Sequence, residues 1–149
     1  MRVIVAVLFC SYTLSVFAQD CRRILGEQSA DAASLKRVED RWDEAFMRGE
    51  TGYLECLLAP EYASVSPKGV HDRAWELEHA AKNKASSAPI TEVPGMSFEI
   101  YGTTGVMRLF KPASADGKQK AQYMADIFAF QDGAWRAVYS QHTPVESNH

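Results

Sequence analysis

The chain has 149 residues, 46% of them hydrophobic and 23% charged, an ordinary globular composition that excludes a disordered or fibrous protein and suits a single domain. Its 16 Lys and Arg stand against 19 Asp and Glu, a net charge of -3 with no basic block, which argues against electrostatically driven nucleic-acid binding.

Arg2 precedes an apolar run, Val3-Ile4-Val5-Ala6-Val7-Leu8-Phe9-Cys10, and Val16-Phe17-Ala18 places compact residues where a signal peptidase reads. Residues 1–18 therefore read as a secretory signal cleaved after Ala18, delivering a secreted or periplasmic protein. The run is too short for an anchor, which needs ~20 apolar residues, and Ser11, Tyr12 and Thr13 interrupt it. Asp20 is bulky and charged where lipid attachment before Cys21 wants a small residue. No other stretch is apolar enough to insert in a membrane. Cleavage removes Cys10 and leaves Cys21 and Cys56, and two cysteines in an oxidising compartment suggest one disulfide. The alternative is two unrelated buried thiols. Neither cysteine has a neighbouring His or Cys, so metal or thiol chemistry has no support there.

Residues 19–30 read as a polar lead-in, and the folded domain as 31–145. From Asp31 the pattern is helical, with Leu35, Val38, Trp42, Ala45 and Phe46 on one stripe and the charges, Glu39 and Asp43 among them, mostly elsewhere. Gly49 ends this helix, Thr51 is placed to cap a short second one, and Pro60 to stop it. Glu61–Ser66 reads as a strand and Pro67-Lys68-Gly69 as a turn. Asp72 then caps a third helix over 73–84, with Ala74, Trp75, Leu77 and Ala81 turned to the core. Residues 85–95 form a linker. Four strands follow, over 96–101, 106–111, 120–131 and 134–142, with turns at Gly102–Gly105, Ala115-Asp116-Gly117 and Asp132-Gly133. Helices first and hairpins last argue an α+β fold with an antiparallel sheet.

Several short segments, in this order and spacing, resemble the nuclear transport factor 2-like superfamily, in its ketosteroid-isomerase-like and SnoaL-like branch of unassigned function. They are Arg41-Trp42-Asp43-Glu44-Ala45-Phe46 with Gly49-Glu50, Leu57-Leu58-Ala59-Pro60-Glu61-Tyr62, Ser66-Pro67-Lys68-Gly69, Tyr101-Gly102, and Ala125-Asp126-Ile127-Phe128 leading to Asp132-Gly133-Ala134-Trp135-Arg136. The resemblance implies a cone-shaped fold: three N-terminal helices packed in a strongly curved, mainly antiparallel sheet, around a pocket open at one end. It also implies homodimers through the outer sheet face, where Tyr123, Ile127, Trp135 and Tyr139 alternate away from the pocket. The superfamily hosts isomerases, dehydratases, epoxide hydrolases, cyclases, transport adaptors and binding modules, so the residues must choose the function.

The isomerase pattern, carried over by position, puts its carboxylate base at Ser66, its tyrosine at Trp42 and its aspartic acid at Asp126. A lone serine hydroxyl cannot abstract a carbon-bound proton near neutral pH, so isomerisation lacks its base. Asp126 lies in an apolar context, either as a pocket acid or as a structural carboxyl bonded to Trp42, a helix terminus or Arg108. If Phe130 pairs with Ala134, Asp126 stands opposite Val138, and His142 lies on the same face four residues farther on, about 13 Å away. Asp72, Glu76 and His79 fall on one helix face, with His71 just before, and read as the solvated side of the third helix rather than a metal site. No serine-hydrolase elbow, zinc-protease, phosphate-loop or dinucleotide motif is present, and no cofactor is implied.

The leading expectation is an extracytoplasmic protein that binds a small, largely apolar molecule of polyketide or steroid type. Trp42, Tyr62, Ser64, Ser66, Asp126, Phe128, Val138 and His142 would line the pocket. The alternatives are a SnoaL-like isomerase, cyclase or dehydratase with Asp126 and His142 as catalytic acid–base groups, and a dimeric accessory subunit with a pocket filled by its own side chains.

Overall fold

A computed structural model describes residues 20–83, 94–114 and 120–145. The signal segment 1–18, most of the 85–95 linker and the 115–117 turn lie outside the described residues. Three helices, α1 (Ala32–Arg48), α2 (Thr51–Leu57) and α3 (Arg73–Ala81), pack against a curved sheet. Its strands are β1 (Leu58–Ser66), β2 (Gly69–Asp72), β3 (Ser97–Tyr101), β4 (Thr104–Lys111), β5 (Gln122–Gln131) and β6 (Ala134–Pro144), in the spatial order β2-β1-β6-β5-β4-β3. β1 and β6 run parallel; every other neighbouring pair is antiparallel. The α+β class and the mainly antiparallel sheet are as expected.

Local chemistry sets the ends of the helices. The Asp31 carboxylate accepts from the Ser34 N–H at 2.7 Å and starts α1, and Gly49 closes it by donating to Phe46 O at 3.2 Å. Asp72 caps α3 through the Trp75 N–H at 2.9 Å. Thr51 is not a cap: Glu50 occupies that position without a side-chain bond, and Thr51 is the first helical residue. Nor does Pro60 mark a break, because β1 already begins at Leu58. The β1–β6 pairing is interrupted between Leu58 and Ala63, which leaves Pro60, without an N–H to donate, in an irregular stretch. β2 is an addition to the expected strands, folded back on β1 through the Pro67-Lys68 turn.

The hairpin between β5 and β6 differs most from expectation. Asp132 and Gly133, at φ 51° and 79°, form a two-residue turn, so Gln131 pairs with Ala134 and Phe130 with Trp135. Trp135 therefore points inward and is fully buried, not on the outer face. Its ring meets Phe130 edge-on at 5.1 Å, and its indole N–H donates to Ser29 O at 3.1 Å. Farther along, Ile127 pairs with Tyr139 and Phe128 with Ala137, so Val138 is the extra residue of a β-bulge. Beyond it the register has slipped once more, and Asp126 faces Ser140, not Val138. Tyr123, Ile127 and Tyr139 remain on the outer face, with Tyr123 exposed.

Leu35, Val38, Trp42 and Ala45 of α1 pack with Met107, Leu109, Phe128 and Ala137 to form the core. Gly105 permits this approach: a Cβ there would lie 2.6 Å from Leu35 Cδ2 and 3.1 Å from the Trp135 ring. The lead-in is not merely polar. Residues 20–25 are helical, Cys21 and Leu25 are buried, and the Gln28 amide oxygen accepts from the Trp135 N–H at 2.7 Å. Cys21 is disulfide-bonded to Cys56 on α2. Among the described residues no helix is long and apolar enough to cross a membrane.

Two stability predictions follow from this packing. Opening the Cys21–Cys56 bridge, which spans 35 positions, should lower unfolding stability by roughly 3–4 kcal/mol, read as a shift in urea midpoint between oxidised and reduced protein. Gly105→Ala should cost about 1–3 kcal/mol, because the new methyl overpacks two fully buried side chains.

Candidate functional site

A cavity of about 450 Å³ lies toward the ends of β5 and β6 remote from their turn. Helix α1 contributes Glu39, Trp42, Asp43 and Phe46, at the i, i+3, i+4, i+7 spacing of one helix face. β1 contributes Tyr62, Ser64 and Ser66, with alternate residues facing inward. β5 supplies Gln122, Met124 and Asp126, and β6 supplies Ser140 and His142. The fourth wall is β2 and α3, with His71, Trp75, Glu76 and His79, and the exposed Pro67-Lys68 turn also borders the space.

Trp42 holds this geometry. Its ring meets Tyr62 edge-on at 5.9 Å and Phe128 at 5.7 Å, so α1, β1 and β5 converge on one indole. Phe128 thus supports the wall from behind and does not line the cavity. Val138 does not line it either, because the bulge hands the inward position to Ser140. The same slip puts His142 opposite Met124, two residues beyond Asp126's partner and not four, and both His142 and Asp126 border the cavity.

The floor is an acid pair. Asp126 is 3% exposed and Glu39 4% exposed, and the two carboxyls hydrogen-bond to each other. Burial and the Asp126 charge push Glu39 well above the ordinary carboxylate range, so Glu39 keeps its proton and donates it to Asp126. Burial also raises Asp126, to about 6, against the Ser140 hydroxyl, which stabilises its charge. Among the described residues, one oxygen of each, Glu39 Oε2 and Asp126 Oδ1, has no hydrogen-bond partner, and neither does His71 Nε2. Asp43 and Glu76 are raised too, chiefly by burial, and Asp126 adds repulsion at Glu76. The Tyr62 hydroxyl interacts with Ser64 and Ser140, and burial keeps it neutral.

At the other wall, Trp75 is sandwiched between two imidazoles, His71 at 3.7 Å and His79 at 3.9 Å between ring centroids. Trp75, Glu76 and His79 border the cavity; Asp72 and His79 are exposed, as expected of the solvated face of α3, whereas Glu76 is half-buried. Ala74 and Ala81, expected in the core, are exposed, while Ala80 is buried and Leu77 packs against the core. Among the described residues no group of three or more His, Cys, Asp or Glu is set to hold a metal ion. His142 is half-buried near Lys111, and both effects lower its affinity for a proton.

No family sequence model matches the chain, and no curated protein matches it by sequence. Solved structures do match. An NTF2-like protein from Cytophaga hutchinsonii superposes with a TM-score of 0.59 at 15% identity, over 74% of this chain and 95% of that one. This chain has the NTF2-like fold. A candidate dehydratase of the NTF2-like family from Streptomyces avermitilis shares it with a TM-score of 0.59 and 19% identity, over 78% of this chain and 97% of that one. The association domain of C. elegans CaMKII does so at 0.59 and 11%, over 73% and 92%. At these identities the NTF2-like likeness is one of fold, and the three neighbours differ in what they are named for.

The acid pair gives a signed pH prediction. A carboxyl whose folded pKa is raised favours the folded state below its unfolded pKa, near 4, and that advantage is lost as pH rises through the folded value, here about 6 for Asp126. His142, lowered by burial, acts oppositely and loses stability as pH falls. Comparing variants separates the two. Between pH 4.5 and 7.5 the natural protein should lose roughly 2 kcal/mol relative to Asp126→Asn, measured as urea midpoints at each pH.

Proposed function

We propose that this protein is an exported, small-molecule-binding protein of NTF2-like fold, and that the cavity over the Glu39–Asp126 pair is its binding site. The single observation that carries this reading is a cavity of about 450 Å³ whose floor holds buried carboxyls, each with an oxygen that has no partner among the described residues. A desolvated acceptor costs about 1–3 kcal/mol unless something donates to it, so such a floor favours an occupant with a polar end. The walls of Trp42, Phe46, Tyr62, Met124 and Trp75 suit an apolar body. The cavity is open space, which counts against a vestigial pocket packed by its own side chains.

A specific observation favours a second reading, proton-transfer chemistry of isomerase or dehydratase type. Two hydrogen-bonded carboxyls share one proton, with Asp126 raised to about 6, and His142 borders the same space. A candidate dehydratase among the fold neighbours is compatible with it. Ser66 stands where the ketosteroid-isomerase resemblance would place its base, so steroid-enone isomerisation is not part of this reading.

Export through residues 1–18, with cleavage after Ala18, belongs to the proposal, and the Cys21–Cys56 disulfide is compatible with an oxidising destination. So does a homodimer through the outer sheet face. There Val106, Ile127 and Tyr139 lie side by side across three strands, beside the exposed pair Phe110 and Tyr123, whose rings are 5.0 Å apart. An association domain among the fold neighbours is compatible with that.

Native mass spectrometry of protein taken from the secreted fraction of its host tests the reading. The expected result is twice the chain mass with a retained small molecule. Ser66→Trp, which fills the cavity from a half-buried strand position, should abolish retention with the thermal midpoint nearly unchanged. Equal retention in Ser66→Trp would place the ligand elsewhere.

A further inference from the structure

We infer that the cavity selects an organic cation: a protonated amine whose ammonium sits against Asp126 and Glu39 and whose apolar body lies between Trp42 and Trp75. This deepens the binding reading above and rests on it.

The charge distribution carries the argument. Four carboxyl side chains border one cavity, Glu39, Asp43, Glu76 and Asp126, from two helices and a strand. Among the described lining residues the only Lys or Arg is Lys68, on an exposed turn at the edge of the space. Two of the four carboxyls are more than nine-tenths buried, and among the described residues each of those two has one oxygen without a partner. A buried carboxylate without a cation is costly, and among the described residues the Ser140 hydroxyl and the proton shared with Glu39 are what offset it at Asp126. An ammonium group supplies what is missing, with N–H donors for both free oxygens and a positive charge for the whole cluster. A neutral hydroxyl supplies only the first, and a carboxylate ligand would add to the repulsion.

The walls fit the same choice. The Trp42 indole and the Tyr62 ring border the space, and aromatic faces attract cations where water is excluded, while Trp75, with an imidazole stacked on each face, adds apolar wall. Other charged or titratable groups near the acids are accounted for. Asp40 on α1 adds repulsion at Glu39 and Asp43, and Lys111 on β4 partly offsets it at Asp43. His142 on β6 has its proton affinity lowered, which keeps it from acting as the missing cation. His71 and His79, from β2 and α3, are stacked on Trp75 and form part of the aromatic wall.

Cation binding should also move a proton. The pair carries one hydrogen between two carboxyls, and an ammonium seated on both favours the fully ionised form. The amine therefore enters as its conjugate acid, and the proton leaves Glu39 for solvent.

Isothermal titration with three probes of one skeleton decides the matter: 4-phenylbutylamine, 4-phenylbutan-1-ol and 4-phenylbutanoate. The amine should bind at least tenfold more tightly than the alcohol at pH 6.5, and the acid should bind more weakly than either. Repeating the amine titration in buffers of different ionisation heat should show a proton released, which the alcohol does not do. Asp126→Asn should close most of the gap between amine and alcohol. Glu76→Gln, on a half-buried position of α3 that leaves the core untouched, should close part of it and serves if Asp126→Asn folds poorly. An alcohol that binds as tightly as the amine would overturn the cation inference and leave the binding site standing. If none of the three binds, both the inference and the binding reading fail.

Discussion

β6 must serve two compartments, and the bulge at Val138 lets it do so. A strand shows alternate side chains to opposite faces, so a single register error inverts everything beyond it. Before the bulge the inward residues paired with Phe130 and Phe128 are odd-numbered, and Trp135 and Ala137 enter the core. Past Val138 they are even-numbered, and Ser140 and His142 enter the cavity. Without the extra residue, Tyr139 and Gln141 would face Asp126 and Met124, and the Asp126–Ser140 contact would not exist. The support of the acid floor by Ser140 and the position of His142 both depend on that one residue.

The site also shows how a cavity tolerates groups that a packed core would not. Glu39 follows Val38 on α1, and its neighbours on the same helix face, Leu35 and Trp42, are buried apolar side chains. Its carboxyl shares a proton with Asp126, and the charges that act on it are those of other acids, Asp126, Asp43 and Asp40. Contrast Arg41, two residues on and on the other side of the helix, whose guanidinium reaches Glu50 and lies 4.7 Å over the Tyr53 ring. The outward charges of α1 find such partners, while the inward ones are left for whatever occupies the cavity.

Much of the fold was legible because its signals are local. Asp31, Gly49 and Asp72 mark helix ends by the hydrogen bonds their types can make, and the Asp132-Gly133 turn is nearly self-declaring. The resemblance to nuclear transport factor 2-like proteins rested on the order of such segments, and the fold matches it. The errors arose where the outcome depends on distant partners. Counting the hairpin one position off sent Trp135 outward, and no local signal announces the bulge that follows. Glu39 and Asp43 looked like solvent-facing charges because a helical stripe says only which side is mostly apolar. The spacing Glu39, Trp42, Asp43, Phe46 was the available clue, since two acids interleaved with two large aromatics do not describe a freely solvated face. On α3 the short length blurred the pattern, and Trp75 went to the cavity with His71 and His79 stacked on it.

The strand order carries a consequence for how the protein is made. β6 comes last of the six in sequence yet lies inside the sheet, paired with β1 on one side and β5 on the other. A ribosome releases β1 and β2 long before the strand that joins them to the rest. Until residue 144 has emerged, β1 keeps an unpaired edge, and α1 lacks the face formed by Trp135 and Ala137. The nascent chain thus stays incomplete to the last strand. That is the condition a chain needs if it is to pass through a translocation channel before it folds.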